Sequence, residues 1–216
     1  MTQHRIEYFY STHSAYAYLG SKRLGEICAA HGCELVHRPF LLSPVVEQAG
    51  GQPFAGRSQA HVDYFFGREI ERWAAYRGLP IIHYRPTYHD NALTLSSGMV
   101  IMAARLGQDV DALADALLQA HWRDDIDLMN PDELRRAARA AGLDPEPLLE
   151  GAMQPNVQKV LEDNTKAALA MHLFGSPTYI LDGDPYYGQD HLELMEHALT
   201  HPFPGTGFKN PPVGKS

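Results

Sequence analysis

Residues 5–10 (RIEYFY) form a short aromatic and β-branched run, the texture of a strand. After a polar turn, Tyr16, Leu19, Gly20, Leu24, Ile27 and Cys28 recur at steps of three and four, which predicts a helix from Ser14. Gly32 stands where the helix needs a left-handed C′ residue, and ELVHRPF (34–40) follows as a strand that must stop near Pro39. Helical periodicity then takes over. Phe65, Phe66, Ile70, Trp73 and Ala74 line a stripe over 57–78, closed by Gly78 and Pro80. Leu95, Met99, Met102 and Ala103 do the same over 91–106, and Val110, Leu113, Leu117 and Ala120 over 109–122. Asn130-Pro131, Asp144-Pro145 and Gln154-Pro155 each put Pro at a first helical position, and the last of these helices runs to about His172. Strand texture returns only at Tyr179-Ile180-Leu181. Asp182-Gly183 is a two-residue hairpin signal, Pro185-Tyr186-Tyr187 runs back, and Gly188-Gln189-Asp190 opens a closing helix marked by Leu192, Met195 and Leu199.

A chain that starts strand-turn-helix and ends Pro-strand-hairpin-helix predicts an α/β, thioredoxin-like fold: a central β-sheet flanked by helices, interrupted by a large all-helical insertion. The expected division is a discontinuous thioredoxin-like domain over 1–42 and 173–204, an inserted helical domain over 43–172, and an irregular tail over 205–216. Where a disulfide oxidoreductase carries Cys-x-x-Cys, this chain has Ser14-Ala15-Tyr16-Ala17. The chemistry therefore moves off the protein's own sulfur and onto something it binds.

Composition narrows the partners. A net charge of −8 over 216 residues argues against nucleic acid and anionic membrane, both of which reward clustered Lys and Arg. No apolar run is long enough to span a bilayer, and MTQHRIEYFY enters a strand with no apolar leader segment, so a cytoplasmic protein is expected. The cysteines Cys28 and Cys33 sit in CAAHGC, spaced as C-x-x-x-x-C. They read as small buried residues flanking a helix-to-strand turn, with a redox pair as the alternative. Of the 12 histidines only His197 and His201 (HALTH) stand four apart, there is no H-E-x-x-H, and no Cys lies close by with ligand spacing, so no metal site is expected.

Three segments can carry chemistry, each against a plainer role. Ser14, at a strand end and helix start, either caps the helix or donates its hydroxyl to a bound thiolate among the free helix N–H groups. Ser176-Pro177-Thr178 is either a trans-Pro strand start or a cis turn that offers the Ser176 backbone to an extended peptide. Gly188-Gln189-Asp190 is either a capped helix start or a site for an α-amino-acid end, with N–H groups for its carboxylate and Asp190 for its ammonium. Together they match a thiolate, a peptide backbone and a free amino-acid terminus, and glutathione has all three. The polar segment PTYHDN (86–91) lines the mouth of the pocket or is a capped turn.

These motifs resemble the 2-hydroxychromene-2-carboxylate isomerases, relatives of kappa-class glutathione transferases in the DsbA-like branch of the thioredoxin superfamily. The resemblance runs from about Ile6 to about Leu199. The family's D-x-x-S-P-x-S-Y-L turn aligns with SAYAYLG, which puts its thiolate-binding serine on Ser14 and Ala15 in place of Pro. Its G-V-P-T loop is GSPT here, giving Ser176 and Pro177. Its W-G-x-D-R signature is YGQDH, giving Gln189 and Asp190 for the γ-glutamyl end, with His191 for Arg. R-D-L-E-R-W-A resembles REIERWA (68–74). The family's T-G-N turn is AGGQ, with Gly51 for Asn, and a following Lys is missing, so the resemblance assigns the glycine carboxylate no partner, and Arg57 is only a guess for it. The resemblance implies a glutathione-dependent cis/trans isomerase of an unsaturated aromatic oxo acid, with glutathione as cofactor, a small-molecule substrate and a homodimeric assembly. A kappa-like glutathione transferase or peroxidase is the near alternative, and a non-catalytic thioredoxin-fold binding module the alternative of another class.

Overall fold

The computed structural model describes residues 3–212. Strand β1 (Arg5–Tyr10) leads through helix α1 (Ala15–His31) to β2 (Glu34–Pro39), and Gly32 ends α1 at φ 63°, the left-handed conformation foreseen for it. The helical block follows as α2 (Leu42–Gln48), α3 (Gln59–Asp63), α4 (Glu69–Arg77), α5 (Thr94–Leu106), α6 (Val110–Asp124), α7 (Pro131–Ala140), α8 (Pro145–Ala152) and α9 (Pro155–Ala170). Asn130 and Asp144 cap α7 and α8 from in front of their N1 prolines. Strands β3 (Thr178–Leu181) and β4 (Asp184–Tyr187) form the hairpin, whose turn residues Asp182 and Gly183 have φ 50° and 96°, as the two-residue turn requires. A 3-10 turn, Gln189–His191, precedes the closing α10 (Leu192–Thr200).

The sheet order is β2-β1-β3-β4, with β1 parallel to β2 and antiparallel to β3. This is the expected thioredoxin-like frame, and no strand lies between Pro39 and Thr178 among the described residues. Because side chains alternate along a strand, the sheet divides two apolar layers. Ile6, Tyr8 and Tyr10 of β1, with Tyr179 and Leu181 of β3, join the larger cluster under α1. Phe9 and Ile180 point the other way, onto Phe40, Val45 of α2, Ala168 of α9 and Leu173. The larger cluster continues into α5, α6, α7 and α8 through Met99, Leu117, Leu134 and Leu148. Where β2 runs out at Pro39, α9 satisfies the exposed backbone: Asn164 Nδ2 donates to the Pro39 carbonyl (3.0 Å) and Thr165 Oγ1 accepts from Leu41 N (3.0 Å).

Two elements depart from the periodicity. Helix α2 carries Pro44 within its first turn and too short an apolar pattern to stand out. The single helix expected over 57–78 is instead α3 and α4 joined by a π turn, Tyr64–Arg68. The cause is one side chain. The Phe65 carbonyl, which an α-helix would offer to Glu69 N, accepts the Tyr16 hydroxyl at 2.6 Å, and Glu69 N pairs with the Tyr64 carbonyl instead.

Helix α1 sits close to the turn before α10. A Cβ on Gly20 would lie 2.8 Å from Gln189 Cβ and 2.8 Å from Tyr179 Oη. Gly20→Ala is therefore expected to destabilise the protein by about 1–3 kcal/mol through overpacking. Urea unfolding would show it as a lower midpoint at unchanged slope.

Candidate active site

The turn between β1 and α1 is tied to the loop before β3. Ser14 caps α1: its Oγ accepts from Ala17 N (3.2 Å) and donates to the Ser176 carbonyl (3.2 Å). Ser176 Oγ accepts from Ser11 N at 3.0 Å. The Ser176-Pro177 bond is cis. The Ser176 carbonyl is thus directed to Ser14 rather than wholly outward. The Pro177 carbonyl accepts from Gly188 N (2.9 Å), which brings the third predicted segment to the same end of the sheet.

Over this end lies a cavity of about 920 Å³, bordered by Ser14, Ala15, Tyr16, Ser176, Arg57 and Tyr187, among others. Arg57 stacks on Phe66 (5.1 Å to the ring centre) and donates through Nη1 to His61 Nε2 at 2.8 Å. Its Nε is buried with no partner. Tyr187 borders the same space, its hydroxyl pKa raised by burial first and by Asp190 second, with Arg57 opposing. Asp190 is exposed and Gln189 is 1% exposed, and neither borders the cavity. Gln189 Oε1 accepts from Arg77 Nη2 (3.1 Å) in the interior, while its Nε2 is buried without a partner.

The site also gathers histidines that no spacing announces. The loop after α4 is held to the end of α6: Ile82 N donates to the Trp122 carbonyl (2.9 Å), Thr87 N to Asp125 (2.7 Å) and Asn91 Nδ2 to Asp127 (3.0 Å). That places His89 on the cavity wall with its Nδ1 2.9 Å from His121 Nε2. His13, one residue before Ser14, meets His89 edge to face at 4.5 Å, and its carbonyl accepts Trp122 Nε1–H at 2.8 Å. The segment 86–91 does border the cavity, through His89, Asp90 and Asn91.

A family model for the DSBA-like thioredoxin domain matches residues 5–200. The chain belongs to that family. Among curated proteins it is similar to 2-hydroxychromene-2-carboxylate isomerase of Sphingobium xenophagum, 24% identical over 194 residues that cover 90% of this chain and 97% of that one. It is also similar to glutathione S-transferase kappa 1 of Homo sapiens, 25% identical over 206 residues and 90% of each chain. Among solved structures, a 2-hydroxychromene-2-carboxylate isomerase superposes with a TM-score of 0.71 at 20% identity, over 90% of this chain and 94% of the other. No described helix is long and apolar enough to cross a membrane. Among the described residues, no group of three or more His, Cys, Asp or Glu side chains could hold a metal ion.

In this DSBA-like chain, no thiol stands at the helix start. Both cysteines are free, and burial pushes the Cys28 thiol up to about 12. The histidines beside Ser14 are held neutral. Burial first, then His121 and Arg85, lower His13 from 6.5 to about 3, against the opposing pull of Asp90. Burial, His13, His121 and Arg85 lower His89 from 6.5 to about 2. Burial also lowers His121, against the Ile126 carbonyl, Asp125 and Asp127. Below pH 6.5 the unfolded chain takes up protons that the folded chain refuses, so stability falls as pH drops from 6.5 toward about 3. Each histidine contributes at most ~1.4 kcal/mol per pH unit in that window. His89→Gln is expected to flatten this acid limb, as read by urea unfolding at a series of pH values between 7 and about 4.

Proposed function

We propose that the protein is a glutathione-dependent cis/trans isomerase of an unsaturated aromatic oxo acid, of the 2-hydroxychromene-2-carboxylate isomerase type. The observation that carries this reading is the Ser14 hydroxyl at the start of a 17-residue helix, on the wall of a large cavity, with no cysteine beside it. Among the described residues the N–H groups of Ala15 and Tyr16 have no hydrogen-bond partner, and they add the positive end of the helix dipole to the same spot.

The remaining residues suit the tripeptide. Arg57, with its orphaned Nε and no carboxylate partner among the described residues, is fitted to the glycine carboxylate. Asp190, exposed and near enough to Tyr187 to raise its hydroxyl pKa, is fitted to the γ-glutamyl ammonium. Gln189 acts at one remove: buried between Gly20 and Arg77, it holds the turn that presents Asp190. Ser176 and Pro177 form the wall against which the cysteinyl backbone lies.

Bound glutathione supplies a sulfur nucleophile that adds reversibly to a C=C bond conjugated to a carbonyl, so the bond turns before elimination. Ser14 swings its O–H from the Ser176 carbonyl to the sulfur and holds the thiolate ionised. The chemistry would require the cavity walls to hold sulfur and alkene at near-attack distance, about 3–3.5 Å. A second reading, a kappa-like glutathione transferase that releases the adduct, uses the same residues and is favoured by the human relative. Total free thiol separates the two, staying constant during turnover in an isomerase and falling in a transferase.

Ser14→Ala is expected to raise the pKa of bound glutathione and to cut its thiolate fraction at neutral pH about ten- to a hundredfold, the equivalent of one charge-assisted hydrogen bond of ~1.5–3 kcal/mol. Thiolate absorbance during a pH titration of the complex measures it, and an unchanged titration would remove Ser14 from the role. Arg57→Gln is expected to weaken glutathione binding about tenfold or more by calorimetry, and to weaken an analogue lacking the glycine carboxylate hardly at all.

A further inference from the structure

His89 and His121 form a relay with only one consistent arrangement of protons. The Ile126 carbonyl, 3.1 Å from His121 Nδ1, can only accept, so His121 carries its proton on Nδ1. His121 Nε2 is then the acceptor in the 2.9 Å bond to His89, which puts the His89 proton on Nδ1. His89 Nε2 is left as a bare lone pair. It makes no hydrogen bond among the described residues and is not fully buried, and the ring that carries it borders the cavity.

The ring is also held sterically. It stacks on His121 (5.2 Å, 22°) and meets Trp122 (5.5 Å, 73°) and His13 (4.5 Å, 76°) at their edges or faces. Phe54 and Phe65 border the same cavity. His121 itself is fully buried, so the relay is shut off from water at its far end.

We propose that His89 is the specificity-determining hydrogen-bond acceptor of the cavity: its Nε2 lone pair, locked in place through His121, receives an O–H or N–H donor of a flat conjugated molecule seated there. His121 is the positioning residue that fixes the tautomer. The charged and titratable groups around the ring are His13 from the β1–α1 turn, His121 from α6, and the mutually paired Arg85 and Asp90 from its own loop; Asp125 and Asp127 flank His121. Their sum keeps His89 neutral. A general-base role is disfavoured by magnitude, because a proton from an ordinary thiol near 8.5 to a group at about 2 moves uphill by roughly six orders of magnitude. A hydrogen bond asks for no such transfer. The inference deepens the isomerase reading by assigning the second substrate's polar contact, but it needs only the cavity and not glutathione.

The test uses the whole chain, labelled with nitrogen-15 histidine and without glutathione. Long-range proton–nitrogen correlation spectra should show His89 protonated on Nδ1 and bare on Nε2 from pH 5 to 8. Phenol should shift the His89 Nε2 resonance and bind about tenfold or more tighter than its methyl ether, anisole, despite anisole being the more apolar. In His121→Phe that preference should fall to about onefold. His121→Gln, whose amide can both donate to Ile126 and accept from His89, should retain it. A wild-type His89 that titrates near 6.5, carries its proton on Nε2, or binds phenol and anisole equally would overturn the proposal, whether or not the variants fold. Because no thiol is present, failure of glutathione to bind would count against the isomerase reading and leave this result intact.

Discussion

The hydroxyl of Ser14 joins two parts of the chain 162 residues apart, and the cavity end of the molecule is organised around that bond. It closes the first turn of α1 by accepting from Ala17 N and fixes the Ser176 loop by donating to its carbonyl. Ser11 N and Ser176 Oγ repeat the connection in the opposite sense, and Gly188 N extends it from the Pro177 carbonyl to the turn before α10. A capping bond is ordinarily a local matter worth about 1 kcal/mol. Here the same oxygen sets the position of a helix N-terminus, a cis-proline loop and a cavity wall. Capping and catalysis, which stand as rival roles when Ser14 is read in sequence, become compatible in three dimensions.

The frame was legible because its signals are local. Asp182-Gly183 demands its turn, Gly32 its left-handed φ, and Asn130-Pro131 its helix start, each through a steric rule that needs no tertiary context. Ser14, Ser176 and Pro177 stand out in the sequence for the same reason, as residues at element boundaries. What escaped notice depends on partners far along the chain. The π turn at Tyr64–Arg68 exists because the Tyr16 hydroxyl takes a carbonyl from the helix, and nothing in YFFGR announces that. His13, His89 and His121 are separated by 76 and 32 residues, so no spacing rule could assemble them. The turn PTYHDN signalled one of the three, but only as a pocket mouth. Gln189 and Asp190 were legible as a turn, whereas the burial of Gln189 against Gly20 and Arg77 is a packing outcome.

Electrostatics at the helix start are divided between two kinds of group. The first turn of α1 offers partial positive charge through N–H groups that cannot titrate. Around it stand imidazoles that burial keeps uncharged over the ordinary pH range. Of the arginines that border the cavity, Arg85 is paired with Asp90 and Arg57 is stacked on Phe66 and bonded to His61. An anion placed at Ser14 therefore meets fixed dipoles rather than a cation that would trap it as an ion pair. A nucleophile needs that balance: enough stabilisation to ionise, not so much that its reactivity is lost.

The chain brings no sulfur of its own to this turn. A dithiol at this turn needs a second thiol at position 17, where Ala17 is fully buried under the first turn of α1. The two cysteines the chain does have lie at the opposite end of α1, beside Gly32, and burial holds Cys28 protonated. Neither can reach Ser14 along a helix of 17 residues, which spans about 25 Å at 1.5 Å per residue. With no cysteine at either position, what the scaffold retains is a helix start capped by Ser14, the cis Ser176-Pro177 loop and a cavity of about 920 Å³. That combination suits a thiol that arrives from solution more than one borne on the chain.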